Sequence, residues 1–175
     1  NLDGTLKIID NISGRKASEL PTIEHILISS SSVINGDFSG IELGSAASGS
    51  TVDFLTVSAQ KANGGLDYVI GLGLSWLAGP TLSHGTFTLT GVDETFEVDI
   101  PLTDETTDPA NNWDGQTLTK NGDGTLILSD INTYSGKTLV NAGTLLVGLT
   151  DSATAQIAGE SVDIAAGATL SGTGT

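Results

Sequence analysis

Four carboxylates, Asp93, Glu94, Glu97 and Asp99, crowd one short stretch of the chain. A pair of carboxyl groups at the right separation can act as acid and nucleophile in glycoside cleavage. The alternation of TFEVDI sets Glu97 and Asp99 on one strand face, opposite Phe96, Val98 and Ile100. The same spacing describes the solvated outer face of a strand, and that is the reading adopted. No Arg or Lys lies between Lys61 and Lys120, so the cation that partners a uronic-acid or proton-abstraction site is missing locally. Serine hydrolysis lacks its parts too: there is no GxSxG elbow, and only His25 in TIEHILI and His84 in SHG could serve as a base. Two histidines without any cysteine argue against a transition-metal site. Acidic turns such as NGDGT and TDETTD resemble calcium loops, but counting Asn121 as the first position leaves Leu126 where the loop glycine is required. They are read as Asn-Gly and Asp-Gly turns. Trp76, Trp113, Tyr68 and Tyr134 could stack on sugars if exposed, and packing at corners is the preferred reading. The sequence thus predicts no enzyme, no catalytic residue, no cofactor and no metal.

The elements that position these side chains follow from composition. Six basic residues against 21 acidic ones give a net charge of −15, which opposes binding to nucleic-acid phosphates and to anionic membrane surfaces. No run of about 18 apolar residues offers a membrane span. With no cysteine, stability must come from packing and ladder hydrogen bonds. Glycine, serine and threonine dominate the polar content and suit strands and turns more than helices. All-β is the expected class. Short helical turns are conceivable only at Arg15 to Leu20 and Asp151 to Ala158.

Two copies of one phrase organise the chain: DGTLKIIDNISG from Asp3 to Gly14, and DGTLILSDINTYSG from Asp123 to Gly136. Gly-Thr-Leu recurs at Gly4, Gly124 and Gly143, and a looser GATL begins at Gly167. The last three are 19 and 24 residues apart, the period of a solenoid coil. In each copy a glycine is expected to supply the turn with positive φ, after which the chain alternates as a strand. Leu6 with Ile8, Leu126 with Leu128, Val140 with Leu145 and Val147, and Val162 with Ile164 and Leu170 are the apolar positions of successive units. One such unit cannot bury its own apolar face and must stack on neighbours. Further strands are expected near residues 24–29, 32–35, 41–43 and 51–58. Between Gly64 and Asn112 the short period is interrupted by DYVIGLGLSW, TFTLT and TFEVDI, which read as longer, antiparallel strands. The expected layout is therefore N-terminal rungs over 1–63, an antiparallel excursion over 64–111 and C-terminal rungs over 112–175. GATLSGTGT stops inside a repeat phrase, which predicts a piece of something longer.

The stretch from Asn112 to Gly148, through its WDG, LTKNGDGTLILS, NTYSG and VNAGTLLVG portions, resembles the passenger-associated transport repeat of bacterial autotransporters. DGTLKIIDNISG is a weaker second likeness, and the segment DYVIGLGLSW to TFEVDI looks like what precedes such a repeat in adhesin-type members. The resemblance implies a right-handed parallel β-helix passenger, exported through the outer membrane by its own C-terminal barrel and displayed at the cell surface or secreted. It also implies a role in adherence, self-association or biofilm formation, with a host or bacterial surface glycan or protein as possible partner. A module for folding and secretion without its own ligand is the alternative, and a β-helix glycan-degrading enzyme using Glu97 and Asp99 is the second. Export of an unfolded chain through a narrow pore suits zero cysteine. On the repeat, Trp113, Gly122, Gly124, Leu126, Leu128, Tyr134, Gly136, Gly143 and Leu145 are the residues expected to form the folding nucleus.

Overall fold

A computed structural model of the 175-residue chain describes residues 1–10, 12–22, 24–46, 48–150 and 154–173. The class is all-β. Among the described residues the helical turns are three short 3-10 segments, Ala17–Thr22, Asn63–Gly65 and Ser75–Leu77. The first overlaps the turn expected at Arg15 to Leu20. Of the turn expected over Asp151 to Ala158, residues 151–153 lie outside the described residues, and the remainder includes a strand.

The first six strands are β1 (Thr5–Asp10), β2 (Arg15–Lys16), β3 (Glu24–Ser29), β4 (Gly40–Ser45), β5 (Leu55–Ala62) and β6 (Asp67–Leu74). Next come β7 (Thr86–Thr88), β8 (Thr95–Val98), β9 (Leu118–Asn121), β10 (Thr125–Leu128) and β11 (Ile131–Asn132). The last are β12 (Thr138–Val140), β13 (Thr144–Val147), β14 (Gln156–Ile157), β15 (Val162–Ile164) and β16 (Thr169–Gly172). From β7 onward every pairing between these strands is parallel. One sheet has the order β16-β13-β10-β8-β2, a second β15-β12-β9-β7, and a short third β11-β14. The chain visits them in rotation: β9, β10, β11, then β12, β13, β14, then β15, β16. A parallel neighbour cannot be reached by a hairpin, so each return must travel around the body of the protein.

Strand direction departs from expectation in two places. TFTLT and TFEVDI, expected to be antiparallel, supply β7 and β8, which pair parallel to β9 and β10. DYVIGLGLSW supplies β6, antiparallel as expected, but in the sheet β3-β6-β5, with Leu55 opposite Leu74 and His25 opposite Ile70. That sheet takes β3 and β5 from the stretch expected to form rungs. The physical reason is that alternation of apolar and polar residues has the same period in both kinds of strand. Near the N-terminus β1 and β4 form a parallel pair, Leu6 opposite Ile41. The strand expected over 32–35 is irregular chain.

One apolar core runs through both parts. Phe54 lies 5.7 Å from Phe87 and 4.7 Å from Phe96, linking the segment before β5 to the parallel sheets. Ile70, Leu72, Leu74 and Trp76, the alternating set of DYVIGLGLSW, are all buried. Among the described residues, no helix is long and apolar enough to cross a membrane.

Candidate functional site

The stretch from Trp113 to Val147 is built from columns of residues in register. Leu126 stands opposite Phe96 on one side and Leu145 on the other, and Leu128 stands between Val98 and Val147. Phe96, Val98, Leu126, Leu128 and Leu145 are completely buried. Burying one such aliphatic side chain is worth roughly 1.5–3 kcal/mol, so each added strand stabilises the one before it. The columns continue into β16, where Leu170 is opposite Leu145, but Leu170 keeps 41% of its surface exposed. Val162 and Ile164, expected in the core, are likewise 40% and 45% exposed.

Glycine holds the corners for two different reasons. Gly122 and Gly143 have φ of 73° and 64°, the left-handed region that a side chain disfavours. Gly124, expected to supply positive φ, does not. A Cβ there would stand 2.7 Å from the carbonyl oxygens of Glu94 and Gly91 in the preceding coil, so glycine is needed for close approach. A Cβ on Gly143 would strike the carbonyls of Gly122 and Gly124, and one on Gly136 would meet Gln116 at 2.7 Å. Successive corners therefore rest backbone on backbone.

Lys120 was not singled out from the sequence, yet it is fully buried. Its Nζ donates to the carbonyls of Asn121 and Gly122, both at 2.7 Å, and to that of Ala142 in the next coil at 3.2 Å. An ammonium has three donors and no acceptor, and here each donor has a carbonyl. Burial lowers its pKa from 10.5 to about 8, with Asp123 pulling the other way, so the group is protonated at neutral pH. The signal was present in the alternation: Leu118 and Lys120 share the inward face of β9. Asn132 is a second buried polar strut. Its Oδ1 accepts from Leu102 N–H at 3.1 Å, while Nδ2 donates to Asp130 O at 2.8 Å and Gln156 O at 3.2 Å, spanning three coils.

The aromatic candidates are packed. Trp76, Trp113, Tyr68 and Tyr134 are 0%, 8%, 3% and 0% exposed. The Trp113 ring meets Trp76 edge-on at 4.9 Å, and Trp76 lies 5.3 Å from Tyr134. The Tyr134 hydroxyl is 2.6 Å from Thr138 Oγ1, and burial pushes its pKa up to about 12 against the lowering effect of that bond.

The carboxylate run also acts within the fold. Glu97 Oε2 lies 3.0 Å from Lys16 Nζ and Glu97 Oε1 accepts from Ser129 Oγ at 2.7 Å. The cation absent from the local sequence is thus delivered by β2, a neighbour in the sheet. Asp99 accepts from Ser18 N–H at 2.9 Å and Ser18 Oγ at 2.6 Å. Glu94 is buried and accepts from Ser45 Oγ, from Ser48 Oγ at 3.0 Å and from Gly91 N–H at 2.9 Å. Burial alone would raise the Glu94 pKa, and those bonds with Thr90 outweigh it, holding the carboxyl below its ordinary range. His25 lies in β3, and His84 is half-buried, its Nδ1 accepting from Thr86 N–H at 3.2 Å. Among the described residues no group of three His, Cys, Asp or Glu could hold a metal.

Residues 118–147 match the family model of the passenger-associated-transport-repeat. Of the nine residues expected to form the nucleus, eight fall inside the match and Trp113 precedes it. A comparison with curated proteins finds no match.

Proposed function

We propose that this chain is a segment of an autotransporter passenger, folded as a right-handed β-solenoid and displayed or released at the bacterial surface by a C-terminal outer-membrane barrel. The observation that carries the reading is the repeat match at 118–147 falling on strands whose apolar columns align in register. Handedness follows from the general rule that parallel crossovers are right-handed in about 98% of cases. The segment serves as a structural and adhesive surface without catalysis, supporting adherence, self-association or biofilm growth. The pairing of Glu97 and Asp99 with Lys16, Ser129 and Ser18 supports a strut role for those carboxylates. Folding outside the pore, coil upon coil, draws on the nearest-neighbour burial of each new rung.

The test is deletion of residues 118–147 from the barrel-linked passenger, reading surface display and cell aggregation separately. Loss of display, with aggregation per displayed molecule also lost, supports the adhesive reading. Loss of display with aggregation per molecule intact favours a folding and secretion module with no ligand of its own. Unchanged display would sink the secretion-module reading, and unchanged display with aggregation per molecule intact would sink both.

A further inference from the structure

A pocket of about 280 Å³ opens beside the paired strands β7 and β9. Thr86 and Thr119 line it from directly opposed positions on parallel neighbours, which sets their side chains about one strand spacing apart, ~4.8 Å. Neither hydroxyl, nor the side-chain amide of Asn112, hydrogen-bonds to another described residue. His84 also lines the pocket, and because its Nδ1 accepts the Thr86 N–H, the neutral ring carries its proton on Nε2 as a free donor. Asn111 spends its Nδ2 on Ser83 O and Asp108 Oδ2, which leaves its Oδ1 as an acceptor.

The wall behind these groups is stiff. Trp113 is pinned by its Nε1 donating to Thr117 O at 2.8 Å and by edge-on contact with Trp76. A Cβ on Gly85 would collide with Thr117 O and stand 2.7 Å from Trp113 Nε1, so glycine lets the chain entering β7 rest directly against the segment entering β9. The one charged group in the lining is Asp114. Its Oδ1 accepts from Gln116 N–H at 2.9 Å and Thr117 N–H at 2.7 Å, and its Oδ2 from Thr117 Oγ1 at 2.5 Å. No Lys or Arg lines the site.

A ligand for this pocket must be compact, must both give and take hydrogen bonds at several points, and must carry no negative charge. Phosphates and carboxylates meet Asp114 and a chain of net charge −15. A hydroxylated ring meets every demand. We propose that the His84–Thr86–Asn112–Thr119 pocket binds one unit of a neutral saccharide. This deepens the adhesive reading and rests on it for its biological setting.

The test is a titration of the isotope-labelled chain with methyl galactoside, N-acetylglucosamine and glucuronate, followed by nuclear magnetic resonance. The expected result is a shift of the Trp113 indole N–H and the Asn111 and Asn112 amides by a neutral sugar, with a Kd of about 1 mM. Glucuronate should bind at least about fivefold more weakly, and Thr119→Val and Asn112→Gly should each weaken the neutral sugar about fivefold. Valine keeps the shape of threonine, and glycine suits the φ of 53° at Asn112, so both variants should keep the remaining spectrum. No shift at these groups by about 50 mM of either neutral sugar, equal binding of glucuronate, or full binding by both variants would overturn the proposal. Because the chain is titrated alone, such a failure removes the sugar site and leaves the cell-surface reading to its own assay.

Discussion

The rung carrying β12 and β13 and the rung carrying β15 and β16 share a sequence pattern and differ in what covers them. Val140 and Leu145 are completely buried, whereas Ile164 and Leu170, opposite them in register, are 45% and 41% exposed. The pattern alone does not make a core. A column position becomes interior when strands flank it on both sides, so stability in this architecture is a property of neighbouring rungs.

The sharpest way to break that comparison is at the corners. Gly143→Ala forces a Cβ into two backbone carbonyls and onto positive φ, and is expected to cost about 4 kcal/mol or more. Gly167→Ala has φ of 88° but meets nothing within 4 Å, so only the backbone term of about 1–2 kcal/mol applies. Urea midpoints of the two variants should differ accordingly, and equal losses would mean the corners do not touch. In the columns, Leu126→Ala should cost about 3–4 kcal/mol, and Leu170→Ala under about 1 kcal/mol because its side chain is already half in water.

Lys120→Met tests the polar strut. It leaves carbonyls of two coils without a donor and should cost about 2 kcal/mol at neutral pH. The pH dependence has a definite sign. The folded pKa of Lys120 is about 8 against 10.5 ordinarily, so the unfolded chain binds more protons between those values and this group makes stability rise with pH across that window. The variant should lose that rise, seen as a flatter difference curve in urea unfolding from pH 8 to 10.5. A smaller effect than that of Lys120 concerns Glu94, which joins the parallel sheets to β4 through Ser45. Its folded pKa is lowered, so its contribution is present above its ordinary value of 4.5 and is lost as pH falls through the folded value. Glu94→Gln should cost about 1 kcal/mol at neutral pH and make acid unfolding below pH 4.5 less steep.

Legibility followed the same divide. The repeated phrase sets Leu126 and Leu128 on the buried face because a stacked unit must reuse one solution to one packing problem, and register then aligns like with like, but it does not show that Gly124 is needed for close approach and not for positive φ. Strand direction in 86–98 was not legible, since β8 finds its partner in Thr125–Leu128, well beyond any hairpin distance. Of the antiparallel sheet, β6 was legible in DYVIGLGLSW, but its partners were hidden for the converse reason: β3 reaches across to β6 from a segment with no phrase in common. Glu97 and Asp99 were correctly set on one face, but their partners Lys16 and Ser18 are some 80 residues away along the chain. Lys120 escaped because a cation on an inward face contradicts the hydrophobic rule unless the carbonyls that receive it are already known.

That lysine also gives the assembly a sequence in time. Two of its acceptors lie in its own turn, and the third arrives only with Ala142. Until then one donor can be served only by solvent, so the earlier loop stays open to water and closes when its successor docks. Hydrogen exchange at Asn121 and Gly122 should therefore report on the placement of Ala142, and the loop at Ala142 acts as the latch of the one at Gly122.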